Sequence, residues 1–213
     1  MKLPTAAQIR MAKDYIMPAE EVSHPDDREA VDVVFDSEIS TLQKVYALDK
    51  IYNCNLMLSE DGYRCLSKSL RGIDERIKSA EDCKTADEIV EDICRLKYNR
   101  KKFIGQVFAS KYCYFTKRQP EGLYIIYDKY ADMALAYLDT DNAIRRYSDN
   151  YKEYAHKVRD LLQQLKGKGI HYRDIDKYLW LFGQVLSPNT APTRIKRLNG
   201  EKLAQLKNSL DPI

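Results

Sequence analysis

Lys111 and Asp128, 17 residues apart, are the two side chains in this sequence whose types and spacing best fit a single chemistry. A lysine amine attacks an electrophilic sugar carbon, and an ionised aspartate stabilises the developing oxocarbenium charge or helps shuttle protons. Together they suit cleavage of an N-glycosidic bond. The intervening chain is long enough for a helix end, a turn around Pro120 and Gly122, and a return to a second helix, so the two groups are expected to converge on one pocket. Lys111 borders an apolar series, Phe103, Ile104, Val107, Phe108, Tyr112 and Phe115, spaced at threes and fours as one buried helical stripe requires. An amine flanked by such a face loses hydration, which favours its neutral, nucleophilic form. Plainer roles stand beside these. Lysine stems commonly cover apolar surface with the ammonium in water, and Asp128 suits the N-cap of a helix through Tyr130, Met133, Ala134, Tyr137 and Leu138.

The surrounding charge points to a polyanion. From Arg95 to Arg118 the chain has eight basic residues and no acidic one, interleaved with Tyr98, Phe103, Phe108, Tyr112, Tyr114 and Phe115. Lys97, Arg100, Lys101, Lys102, Tyr112, Lys117 and Arg118 are therefore the candidate nucleic-acid contacts, with phosphate pairing from the cations and base stacking from the rings. Trp180, the only tryptophan, is a further stacking candidate, although filling a gap between helices is the commoner use of such a residue.

Two stretches carry a resemblance: Phe108-Ala109-Ser110-Lys111-Tyr112-Cys113 and Tyr124-Ile125-Ile126-Tyr127-Asp128. They resemble the helix-hairpin-helix DNA glycosylases, most closely the bacterial 8-oxoguanine glycosylase-like proteins of the OGG fold. In that family a lysine on the helix after the hairpin is the nucleophile and an aspartate some way downstream begins the next helix, the places that Lys111 and Asp128 occupy here. The resemblance spans about Lys44 to Gly183 and implies a glycosylase or lyase acting on a modified base or nucleotide without a cofactor. It also implies a link to antiphage defence, with an operon-encoded protein as partner. Where the family grips duplex phosphates with Gly-x-Gly, this sequence has only Gly105, which turns the expected substrate toward a modified nucleotide or a nucleic-acid end.

The elements that must position these residues read as helices. Thr5 to Gln8 form a capping box opening a first helix, which Pro18 is expected to end near Met17, with irregular chain to residue 30. Ile39, Leu42, Val45, Tyr46 and Tyr52 repeat at helical spacing from about Ser37 to Tyr52. Ser59 caps a long helix through Tyr63, Leu66, Leu70, Ile73 and Ile77, and Thr85 to Glu88 form a second capping box before Ile89, Ile93 and Leu96. Further helices run through Tyr151 to Leu165, stopped by Gly167 and Gly169, and through Asp174 to Gly183. The one strand-like run is Leu123 to Tyr127, too short to make a sheet by itself. The expected fold is all-α, a single compact multi-helix domain of glycosylase-like type. Its parts are an acidic N-terminal helix and loop at 1–36, a helical core at 37–186, a linker at 187–193 and a basic C-terminal helix at 194–213.

Composition narrows the function classes. At 213 residues and 44% hydrophobic content the chain can bury one good core, and a net charge of only +3 makes any basic signal local rather than global. Residues 1–38 hold nine acidic and four basic residues and 194–208 hold five basic and one acidic, so either the two ends approach one another or the acidic arm covers the basic surface. Five cysteines without a Cys-x-x-Cys pair or nearby histidines at ligand spacing imply neither a metal site nor a disulfide framework. No signal-like or membrane-spanning run is present, and a reducing cytoplasm is the expected location. A Walker loop, a Gly-x-Ser-x-Gly elbow and a His-Glu-x-x-His helix are all missing. Two alternatives remain open: a non-catalytic protein binding nucleic acid or a nucleotide, and a helical protein-interaction module.

Overall fold

Local capping sets where several helices begin. The Thr5 amide donates to Gln8 Oε1 at 2.8 Å while Thr5 Oγ1 accepts from the Gln8 amide, opening α1 (Ala6–Ser23). Ser40 and Gln43 make the same reciprocal pair at the start of α2 (Thr41–Ile51). Ser59 Oγ accepts from the Gly62 amide to open α3 (Glu60–Ser79). α4 (Cys83–Cys94) begins earlier than its sequence suggests: Asp82, not Thr85, is the N-cap, and the Asp82 carboxylate takes both the amide and the hydroxyl of Thr85. A carboxylate with two oxygens satisfies both donors at once, which explains the shift.

The computed structural model describes residues 1–23, 35, 39–51, 54, 56–99, 102–118, 120–144, 146–189, 195 and 197–212. Among them the fold is all-α, with nine helices and one short antiparallel ribbon of β1 (Lys97–Asn99) and β2 (Lys102–Phe103). After α5 (Gln106–Thr116) come α6 (Lys129–Thr140), α7 (Tyr151–Gln164), α8 (Tyr172–Leu186) and α9 (Gly200–Leu210). The chain divides into two compact units. A central unit holds 24–127, and a terminal unit joins Met1–Ser23 to 128–213. The division thus runs through the segment 37–186 expected as one core.

In the central unit α3 presents the expected stripe, with Tyr63, Leu66, Leu70, Ile73 and Ile77 all buried. It packs against α2, α4, α5 and β1. Leu123 to Tyr127 form no strand; they are buried, irregular chain, and strand structure falls instead at Lys97–Asn99 and Lys102–Phe103.

In the terminal unit α8 is the hub, packing most extensively on α6 and also on α1 and α9. α1 runs through Pro18 to Ser23 rather than ending near Met17. Proline removes one ladder bond, and a helix tolerates that loss where packing holds it; here Ile9, Ala12 and Ile16 are buried just upstream. Gln8 Nε2 of α1 donates to the carbonyl of Asp211, the residue after α9, at 2.9 Å. The terminal helix packs back through Leu206 and Leu210, and Tyr178 donates its hydroxyl to the Leu210 carbonyl at 2.8 Å.

The first turn of α8 gives this unit an acid-sensitive joint. Asp174 accepts from the His171 amide at 3.1 Å and from Lys13 Nζ on α1 at 3.0 Å. Burial opposes the Asp174 charge, but the His171 amide and Lys13 outweigh it and hold the carboxyl below the usual aspartate range. The unfolded chain then binds the proton more readily, so this contribution to stability is full above the ordinary aspartate value of about 4 and is lost as pH falls from there through the lower folded-state value. Asp174→Asn is expected to be less stable than the parent at neutral pH and to show a flatter loss of stability on acidification, measured by urea midpoints across that range. Equal acid dependence in the two proteins would remove Asp174 from the account.

Candidate functional site

α5 is not an amphipathic surface helix. Phe108, Ala109, Ser110, Lys111, Tyr112, Cys113 and Phe115 are all buried, which covers nearly its whole circumference. The reason lies partly in the register. Phe103, expected in the buried stripe, precedes the helix on β2 and is 57% exposed, while Ile104 beside it is buried. Strand alternation turns adjacent side chains to opposite sides.

Lys111 sits in the middle of this helix with 7% of its surface exposed. Ser110, one residue earlier, is fully buried, donates to the Gln106 carbonyl at 2.7 Å and accepts from the Tyr127 amide at 2.8 Å. That bond joins the residue before Lys111 to the residue before Asp128, and fixes where the chain leaves the central unit. Nothing in the local sequence announces it, because the partners are 17 residues apart.

Tyr112 is not a nucleic-acid contact. It is fully buried, stacked on Phe108 at 5.7 Å and edge-on to Phe35 at 5.9 Å, and its hydroxyl donates to Asp74 Oδ1 at 2.6 Å. Asp74 also accepts from Thr41, so one carboxylate on α3 ties down both α5 and α2. Burial first, and then Asp74, push the Tyr112 hydroxyl far above its ordinary value. Lys117 is likewise employed in the fold. Its ammonium donates to the carbonyls of Lys78, at 2.7 Å, and Ala80, at the end of α3, where a cation also meets the negative end of the helix dipole. Arg118 lies half-buried with its guanidinium 5.9 Å from the centre of the Phe115 ring. Lys97 is exposed on β1 with Nζ 5.0 Å over the Phe103 ring. Lys102 belongs to β2 by its backbone, and Arg100 and Lys101 lie outside the described residues.

Asp128 opens the terminal unit as the N-cap of α6, with extended backbone and Oδ1 accepting from the Tyr130 amide at 2.8 Å. Its second neighbour in role is Asp132, one turn on and fully buried, whose carboxylate accepts from the amides of Arg146 and Tyr147 and pins the loop after α6. Tyr154 of α7 is buried beside them. Its hydroxyl is pushed well above the ordinary value by burial and then by the negative groups of Tyr172, Asp176, Asp128 and Asp132. Trp180 is half-buried on α8, off the inward face formed by Ile175, Tyr178, Leu179 and Phe182. Lys111 and Asp128 thus belong to different units, and neither unit holds both. Among the described residues no group of three or more His, Cys, Asp or Glu side chains is arranged to hold a metal ion, and none of the cysteines is joined in a disulfide. No helix there is long and apolar enough to cross a membrane.

The structure defines an all-α protein of two units, one with a lysine buried in its most enclosed helix and the other opened by an aspartate cap. Residues 24–120 match the family model HI_0787_N, described as an N-terminal domain, and the matched segment nearly coincides with the central unit. Comparisons with curated proteins and with solved structures give no match.

Proposed function

We propose that this protein is a lysine-dependent N-glycosylase or lyase of the helix-hairpin-helix kind, acting on a modified base in a nucleotide or nucleic acid. The observation that carries the reading is the burial of Lys111. Lysines rarely lose nearly all contact with water, and a solvated lysine on a helix edge would extend its ammonium outward. Lys111 instead lies within a helix enclosed on almost every side. Asp128 adds support as the first residue of the next helix, the place that the resemblance gives to the assisting carboxylate.

In this reading Lys111 Nζ bonds to sugar C1′ as the bond from C1′ to the base breaks, and one proton from that nitrogen leaves with the base. The resemblance gives to Asp128 the part of stabilising positive charge at C1′ during the exchange. The other nitrogen proton passes to O4′ as the C1′–O4′ bond breaks and the sugar ring opens, which leaves an imine between Nζ and C1′. Loss of the C2′ proton then expels the 3′ phosphate with the C3′–O electron pair, and water hydrolyses the imine to restore the lysine.

Borohydride trapping tests this directly, because hydride reduces the imine to a stable amine. With a panel of oligonucleotides bearing abasic sites and oxidised, alkylated and deaminated bases, the protein is expected to leave a covalent adduct of protein plus oligonucleotide that Lys111→Gln abolishes. No adduct across the panel, or one that survives Lys111→Gln, would overturn the proposal. A second reading, binding without chemistry, is favoured by the exposed Lys97 and Phe103 pair; salt-sensitive binding with no adduct is its signature.

A further inference from the structure

The β1–β2 ribbon holds its largest apolar side chain away from the core. Lys97 and Phe103 are directly paired across the two strands. At the base of the ribbon the Ile104 amide donates to the Leu96 carbonyl at 3.0 Å, and Ile104 is buried. The ribbon is therefore anchored through Ile104, and alternation sends Phe103 the other way, where more than half of it meets solvent. Lys97 Nζ stands 5.0 Å from the centre of that ring, a cation–π arrangement that fixes the ammonium beside the aromatic surface. The sequence of 97–103 has four basic residues and no acidic one.

We infer that Lys97 and Phe103 form a stacking platform for an unpaired base of single-stranded nucleic acid. The inference rests on the reading of this protein as one that engages nucleic acid, but not on the chemistry of Lys111. Each part of the pair matches one part of a nucleotide. An exposed aromatic face accepts any base that is itself unstacked, and a neighbouring cation meets the phosphate that the base brings with it. In a duplex each base face is already covered by its neighbours, so a ring held on a two-strand ribbon gains contact only with a base that is unpaired, at an end or in a single strand. An acidic protein surface would answer the charge but has no use for the ring.

Fluorescence anisotropy with labelled oligo(dT) of about 16 nucleotides, long enough to cover a typical single-strand site, tests the platform. The wild-type protein is expected to bind the single strand more tightly than a duplex of equal length. Phe103→Ala is expected to weaken single-strand binding about tenfold, in keeping with the loss of one base stack. Phe103→Trp is expected to retain affinity and to show fluorescence quenching on binding. Lys97→Gln is expected to weaken binding and to reduce the slope of log K against log salt by about 0.7. Circular dichroism should show unchanged helix content in all three variants, since both side chains are exposed. Wild-type affinity in Phe103→Ala, tighter binding to the duplex, or displacement of the oligonucleotide by polyglutamate at equal charge would each overturn the inference. Failure of borohydride trapping with this binding intact would sink only the lysine chemistry.

Discussion

Gly183→Ala is expected to destabilise the terminal unit by about 3 kcal/mol or more, at the upper end of the cost of overpacking a closed core. A Cβ placed on Gly183 would lie 1.8 Å from the carbonyl oxygen of Tyr130, 2.5 Å from its carbonyl carbon and 2.8 Å from its Cα. Those atoms are backbone in the first turn of α6, so no side-chain rotation relieves the clash and one helix must move off the other. Ala131 and Ala134, further along α6, are small and fully buried. Alanine is normally the better helix former, by about 0.5–1 kcal/mol, and Gly72 on α3 supplies the control, since a Cβ there meets nothing within 4 Å. Gly72→Ala should raise the urea midpoint and Gly183→Ala should lower it sharply. A Gly183→Ala protein as stable as the parent would mean that α6 and α8 do not cross where described. Tyr130 follows the cap of α6 by two residues, so moving that turn moves Asp128, which is how the position would bear on the proposed chemistry.

Helix starts and helix faces were legible because they depend on neighbours in sequence. The Thr5 and Gln8 box, the Ser59 cap and the buried stripe of α3 from Tyr63 to Ile77 all follow from spacing. Asp128 as a cap was legible in the same way. The misreadings share a different cause. Phe103 and Ile104 fit a helical period when read with Phe108 and Tyr112, yet the ribbon imposes a period of two, which puts one outside and the other inside. Tyr112 looked like part of a basic surface, and the part of Lys117 in the fold went unseen, because their partners, Asp74 and the carbonyls ending α3, lie more than thirty residues earlier in the chain. Lys111 and Asp128 could be named from their types, but the division of the chain between them could not, since it depends on which helices gather around α8.

Ser110→Ala is expected to reduce borohydride-trapped adduct more than tenfold while costing about 1–3 kcal/mol of stability, the penalty for taking the acceptor from a buried amide. The Ser110 hydroxyl bridges the Gln106 carbonyl and the Tyr127 amide in a site shielded from water. Alanine fills nearly the same space, so packing around α5 should survive and the loss falls on the bond that directs the chain out of the central unit. In the proposed chemistry a misplacement of about 1 Å between reacting groups is enough for a hundredfold loss of rate. On that proposal Ser110 is a positioning residue, acting through Lys111 without touching substrate. A purely structural role predicts something else: a lower urea midpoint with unchanged adduct yield at temperatures where the variant remains folded. Affinity for single-stranded oligo(dT) gives the second readout, since it depends on Lys97 and Phe103 and should stay at the parent value. Ser110→Thr keeps the hydroxyl, and recovery of adduct in that variant ties the effect to the hydrogen bond rather than to the size of the side chain.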